Sequence, residues 1–337
     1  MAAAAAKDYR IRLGEAAVPA DVVISTRSMT RVLQYEPRDL TISVEAGMKF
    51  YELTKLLAAN HQMVPLDPPN LEDVTVAGVL AANLNGSRRR LYGTARDLVI
   101  GMEFATLEGK VVKTGGMVVK NVAGLDMAKL MIGSFGTLAA IGTANFKLNP
   151  MPKTTANFLY SFATAAEAYA LRDRVMKGQL QPSALDLLNP AASTFAGLPD
   201  SWNLVLLAPA LPERFAKEYP GGKQVDDEIW TPIREFTPRY LHAHRGATVA
   251  RYSTTHTGMK QILTSDLKAP AVARAGSGIV YVYGETDHKG GKYVLENAPV
   301  GADRWPSPGS DFPLMQRVKN MLDPKGLLNK GALYGRI

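Results

Sequence analysis

The stretch from Thr75 to Gly93, TVAGVLAANLNGSRRRLYG, sets nearly bare backbone beside three consecutive arginines. On a helix, Val76, Val79, Leu80 and Asn83 share one face, while Ala77, Gly78, Ala81 and Ala82 leave the rest open to close approach. The first turn of a helix presents unpaired N–H groups and partial positive charge, which suits Thr75–Gly78 to a phosphate or pyrophosphate. Thr75 is placed to cap that turn or to lend a hydroxyl, and Pro68–Pro69 stiffens the approach. Small residues at this spacing also allow a helix to pack tightly on a neighbour, so spacing alone leaves both readings open. One of Arg88, Arg89 and Arg90 is expected to neutralise an anion, the others to face solvent or another subunit.

Other chemistry is scarce. LHAHRG places His242 and His244 on one side of an expected strand, where they could meet an anionic substrate or a metal; exposed or hydrogen-bonded histidines are the alternative. His256 and His288 have no patterned neighbours. The chain has no cysteine, which excludes disulfides, thiolate metal sites, cysteine nucleophiles and an iron–sulfur cluster held by this chain alone. A one-electron carrier must then sit on a partner. A G-x-G-x-x-G between strand and helix is missing, and AGSGIV runs into a strand instead. The formal charge of +8 favours anionic ligands or acidic partners, yet only Tyr92 lies close to the arginine run, so nucleic acid is not expected. No run reaches the ~18 apolar residues of a membrane span, and MAAAAAKDYR lacks the plan of a secretory signal, so a cytoplasmic location is expected.

With 337 residues and 46% hydrophobic content, two domains can each fill a core. TISVEAG alternates as a half-buried strand and pairs with RVLQYE through the turn Pro37–Arg38–Asp39; Phe50, Leu53 and Leu57 then mark a helix. DLVIGMEFATLEGKVVKTGG reads as two strands about Glu108–Gly109, and GLDMAKLMIGSFG as a short helix stopped by Gly133. In TLAAIGTANFKLNP, alternation puts Leu138, Ala140, Gly142, Ala144, Phe146 and Leu148 on one side. Gly133, Gly136 and Gly142 surround a turn feeding this small-residue strand, which suits it to lie against a flat ring. The mixture, without regular helical crossovers, makes the class α+β.

Pro150–Pro152 mark a boundary, after which strand, helix, strand recurs. The strands expected are ANFLYSFA, ALDLLN, NLVLLAPA, ATVARYS and GIVYVYGE. Helices are expected near 164–178, 226–234 and 257–265, covering one face of a smaller sheet. The last segment gives an amphipathic helix carrying Leu314, Met315, Val318 and Leu322, stopped by Asp323–Pro324.

PLDPP, TVAGVLAANLNG, LYGTARDLVIG, KNVAGLDMAKLMIGSFGTLAAI and LDPKGLLNKG stand in the order found in FAD-linked oxidases of the PCMH (vanillyl-alcohol oxidase) type, and the sequence resembles their glycolate oxidase FAD-binding subunits. The resemblance implies FAD extended between two α+β subdomains, with a cap domain over the ring. It implies an FAD domain over residues 1–150, a cap over 151–304 and a tail over 305–337 that packs back on the FAD domain. Carried across, Pro69, Thr75, Val76, Ala77 and Gly78 approach the pyrophosphate, the last four through backbone amides. Asn85, Gly86, Tyr92 and Gly93 line the cofactor, and Asp97 anchors their loop. Gly133, Gly136, Thr137 and Ile141 pass the adenine and flavin side, Lys120 and Asn121 orient the turn, and Asn329 comes near the ring. Catalytic candidates are His242, His244 and Asn329.

The implied activity is oxidation of a 2-hydroxy acid such as glycolate. The implied partners are a second FAD-linked oxidase subunit and an iron–sulfur subunit, with at most peripheral membrane association through them. An assembly or electron-relay subunit with weak or no FAD binding is the alternative. Two departures bear on it. The H-x-G-D-G-N-x-H motif of related dehydrogenases is missing, and Gly14 is the only glycine before Gly47 where the family has a glycine-rich loop, so the first strand–loop–strand is expected to be lost or replaced.

Overall fold

The computed structural model describes residues 1–118, 125–265, 267–284, 292–299 and 302–337. Lys120, Asn121 and His288 lie outside the described residues. The chain divides into two compact units: residues 1–85, 93–151 and 307–337 form the first, and 86–92 with 152–306 form the second.

The first unit opens with β1 (Ile11–Leu13) and β2 (Val22–Ile24), a parallel pair joined by residues 14–21. The strand–loop–strand expected to be lost is therefore present. Its loop is short, and Gly14 takes φ +60° at its start. Arg10 closes the loop by donating Nε and Nη2 to Asp21 at 3.1 and 2.8 Å.

A five-stranded antiparallel sheet follows in the order β3 (Val32–Glu36), β4 (Thr41–Glu45), β8 (Ala140–Lys147), β6 (Val99–Ala105), β7 (Val111–Gly115), while β5 (Gln62–Met63) pairs with β9 (Asn149–Pro150). β4 is buried at every position, not half-buried as alternation implies, because β3 and β8 flank it and its outer face is also covered. β8 breaks its own period: Glu103 faces Thr143 but Phe104 faces Ile141, so Gly142 is the extra residue of a bulge. Ile141 thus joins Ala144 and Phe146 in the core, while Ala140 and Gly142 do not.

The helix Phe50–Ala58 buries Phe50, Leu53 and Leu57 as its spacing predicts. The helix Phe312–Leu322 buries Phe312 and Lys319 and packs Val318 and Leu322 of the expected face against the core, but leaves Leu314 59% exposed.

The second unit holds the larger sheet. β10 (Ala156–Phe162), β11 (Ala184–Leu188), β12 (Trp202–Ala208), β13 (Lys223–Val225), β14 (Val249–Ser253), β15 (Ala271–Arg274), β16 (Ile279–Tyr283) and β17 (Tyr293–Asn297) pair antiparallel in the order β13-β10-β12-β11-β15-β16-β14-β17. Helices cover both faces, not one. Leu204 and Leu206 pack with Tyr169, Phe215 and Met259, while Val205 between them packs with Ile233, Phe236 and Tyr240. Thr164 and Glu167 close a capping box on the helix Ala165–Lys177.

Candidate functional site

The small-residue stretch forms the helix Val76–Ala81, and Val76, Val79 and Leu80 are fully buried as expected. Its first-turn amides are not free. Val76 N–H donates to the Met48 carbonyl at 2.9 Å, Ala77 N–H to the Ala46 carbonyl at 2.7 Å, and Gly78 N–H to Thr75 Oγ1 at 3.1 Å. The premise of naked amides fails because the helix start docks on the loop after β4, whose Gly47 sits where a Cβ would lie 1.7 Å from the Thr26 carbonyl oxygen. Thr75 is the cap; Pro69, half-buried, precedes it.

Polar capacity is left at the other end of this helix. Asn83 leaves helical geometry at φ +50°, and the turn Gly133–Thr137 packs against it: Gly133 N–H donates to the Leu80 carbonyl at 3.0 Å and Phe135 N–H to the Ala81 carbonyl at 2.8 Å. Gly133, Phe135 and Gly136 all take left-handed backbone, at φ +82°, +53° and +68°. A bulky residue held there costs energy that the surroundings must offset, as they often do at ligand sites. Asn329, 2% exposed, crosses from this turn to β1: its Nδ2 donates to the Phe135 carbonyl at 2.7 Å and its Oδ1 accepts from Leu13 N–H at 2.7 Å. Both ends of the amide are engaged within the protein, so Asn329 positions the turn. A Cβ on Gly136 would lie 2.7 Å from Asn329 Nδ2.

Five buried polar atoms among the described residues of this unit lack a hydrogen-bond partner: Thr106 Oγ1, Asn149 Oδ1, and three on the segments just described or next to them, Ser134 Oγ in the turn, Asn85 Oδ1 beyond the helix and Arg12 Nε on β1 next to Leu13. A hydroxyl, an amide oxygen and a guanidinium N–H left unsatisfied on segments bordered by glycine fit a polar, anionic group such as a dinucleotide.

Behind the turn stands a feature that sequence reasoning missed. Lys319 is buried and donates from Nζ to the Thr137 carbonyl at 2.7 Å, to Asp323 Oδ2 at 2.6 Å and to the Leu328 carbonyl at 2.9 Å. Burial pushes its ammonium below the usual lysine range, against the pull of Asp323. Thr137, fully buried, turns its own hydroxyl to the Ser134 carbonyl at 2.7 Å. Ile141 lies opposite Phe104 in the ladder with its side chain in the core.

Asp97 anchors its loop as expected, accepting from Thr94 N–H at 2.8 Å and Thr94 Oγ1 at 3.1 Å. The Thr94 backbone N–H is the main cause that holds its carboxyl below the ordinary range. Gly93 approaches so closely that a Cβ would lie 2.6 Å from Asp97 Oδ2.

Gly86 and Tyr92, expected beside Asn85 and Gly93, group instead with the second unit. There Ser87 donates to Asp186 Oδ2, and Arg274 donates from one Nη to Ser87 Oγ at 3.0 Å and to Asp186 Oδ2 at 2.5 Å. Asp186 is fully buried and Arg274 8% exposed. Burial alone would lower the Arg274 pKa, but Asp186 and Tyr281 outweigh it and hold it above the usual arginine range. Burial raises the Tyr281 phenol to about 12. The available sequence signal was one charge inside each of the apolar strands ALDLL and AVAR.

His242 and His244 are not on a strand. They fall in and just after the helix Phe236–Ala243, both exposed, and His244 stacks on Tyr240 at 4.2 Å. Helical geometry sends residues two apart to different sides. No group of three His, Cys, Asp or Glu among the described residues could hold a metal.

Residues 11–115 match the FAD binding domain family. The fold is similar to that of alkyldihydroxyacetonephosphate synthase, with a TM-score of 0.71 at 16% identity, covering 97% of this chain and 72% of that one. The match marks an FAD binding domain over residues 11–115, and the cofactor of that domain is FAD.

Over 323 residues it is 26% identical to glycolate oxidase subunit GlcE of Escherichia coli, covering 93% of this chain and 87% of that protein. It is also 30% identical over 192 residues to glycolate oxidase subunit GlcD of Bacillus subtilis and 31% identical over 182 residues to D-lactate dehydrogenase of Archaeoglobus fulgidus. It spans only 41% and 40% of those two proteins. No helix among the described residues is long and apolar enough to cross a membrane.

Proposed function

We propose that this chain is the FAD-binding subunit of a glycolate oxidase-like complex that oxidises a 2-hydroxy acid such as glycolate to the 2-oxo acid. The observation that carries the reading is similarity to GlcE over nearly the whole of both chains. FAD, when bound, supplies acceptance of a hydride equivalent from the α-carbon of the acid. Of this chain's own residues, Arg12, Asn85, Ser134 and the turn Gly133–Thr137 hold the cofactor, with Asn329 and Lys319 fixing that turn. Pro69 and Thr75–Gly78 shape the wall through packing and capping instead of donating free amides. Asn85 and Gly93 carry the chain past the cofactor, and Asp97 anchors the return. With no cysteine in the chain, electrons leave through an iron–sulfur subunit, beside a second FAD-linked subunit. The protein works inside the cell, touching a membrane only through those partners.

A second reading, an assembly or relay subunit with weak or no FAD binding, is favoured by the engaged first-turn amides and by the short loop 14–21. The visible spectrum of the purified chain separates the two. Peaks near roughly 370 and 450 nm that bleach with glycolate or D-lactate support turnover at this subunit. Peaks that persist under substrate indicate relay, and a colourless protein that still captures two other subunits indicates assembly.

A further inference from the structure

Arg90 of the triple-arginine run lies along Gly276, where a Cβ would meet Arg90 Cδ at 2.3 Å, so the missing side chain leaves room for the arginine stem. Its Nε donates to Met176 Sδ at 3.1 Å, a weak acceptor, and no carboxylate among the described residues pairs with it. The charged group that acts on Arg90 there is a second cation, Arg172, 3% exposed. Arg172 spends itself locally, donating Nε and one Nη to the Ala275 carbonyl at 3.0 and 2.7 Å and its other Nη to Asp173 at 2.7 Å. It also donates to His256 Nδ1, which leaves the His256 proton on Nε2 as a donor at an exposed position.

Two guanidiniums and an imidazole therefore converge on residues 275–276, and among the described residues one carboxylate, Asp173, pairs with Arg172. Like charges brought together with partial burial destabilise a fold unless an anion joins them. We propose that Arg90, Arg172 and His256 form a binding site in the second unit for a small oxyanion, a carboxylate or a phosphate. Arg90 and the His256 Nε2–H supply the donors, Arg172 supplies charge and holds the imidazole, and the exposed His256 edge admits the ligand. Burial, followed by Arg172, lowers the His256 pKa, in keeping with the neutral ring this arrangement needs.

The test is isothermal titration of the FAD-saturated full chain at low ionic strength with inorganic phosphate and, separately, with glycolate. The expected result is millimolar binding of at least one of them, weakened roughly tenfold or more in Arg90→Met. Because that substitution removes an uncompensated cation, the ligand-free variant should melt at the wild-type temperature or above it, and the anion should no longer raise the melting point by the expected ~2–4 °C. A merely structural arginine would lower the melting point instead. If Arg90→Met fails to fold, Met176→Glu decides: a carboxylate placed beside Arg90 Nε should occupy the site from within, raise the melting temperature and abolish anion binding. Binding of phosphate alone or of glycolate alone assigns the ligand class. No binding of either, or binding of unchanged strength in Met176→Glu, overturns the proposal.

Discussion

Replacing Lys319 with methionine tests how the C-terminal segment holds the turn Gly133–Thr137. The substitution keeps the aliphatic stem and deletes an ammonium that satisfies the Thr137 and Leu328 carbonyls and pairs with Asp323 at 2.6 Å. Breaking a buried pair by removing one partner costs about 3–5 kcal/mol, because the other charge stays buried. Asp323 keeps two backbone donors, Leu327 N–H at 3.0 Å and Leu328 N–H at 2.8 Å, so the cost should fall near the lower end, about 3 kcal/mol.

Asp323→Asn keeps one acceptor oxygen, for one of those two amides, turns an NH2 group on the other and loses the ion pair. The double variant should therefore cost less than the two single losses combined, with a coupling of about 1–3 kcal/mol. Urea unfolding followed by hydrogen exchange at the backbone amides of the first unit reads that unit. All three tryptophans, Trp202, Trp230 and Trp305, lie in the second unit, so their fluorescence serves as an internal control that should not shift. Flavin retention should fall with the loss of stability, since Thr137 loses its anchor. A single-variant loss under about 1 kcal/mol, or strict additivity in the cycle, would show that Lys319 does not key the turn.

Three further expectations follow from particular contacts. Gly136→Ala forces a side chain into left-handed backbone 2.7 Å from Asn329 Nδ2; a loss of about 1–3 kcal/mol, with weaker flavin binding by fluorescence titration, is expected, whereas full wild-type affinity counts against the cradle. Ser87→Ala removes both the donor to Asp186 and the acceptor for Arg274, and tryptophan-monitored unfolding of the second unit should lose about 1–2 kcal/mol. Asp21 is held at about 2, chiefly by the Arg10 side chain. Its folded pKa lies below the unfolded value of 3.8, so its contribution is present above that value and fades as pH falls towards about 2. Asp21→Asn should flatten that part of the acid stability profile, and an unchanged profile in the variant removes Asp21 from the account.

What the sequence alone determined is local. Period-two runs marked most strands, Phe50, Leu53 and Leu57 marked a helix face, and the turn at Glu108–Gly109 took the left-handed glycine it needs, at φ +85°. The ordered motifs pointed to an FAD-linked class because each packs its information into about a dozen residues. Tertiary structure decided whatever depends on partners far along the chain. The first-turn amides of Val76 and Ala77 met the Met48 and Ala46 carbonyls, not an external anion. The bulge at Gly142 reversed the facing of β8, which no local alternation records. A charge 182 residues away holds the Thr137 carbonyl, and Ser87 meets an aspartate and an arginine 99 and 187 residues on. Such pairings are set by sheet order and helix docking, so the residue types announce that a buried charge needs a partner while only the fold chooses which.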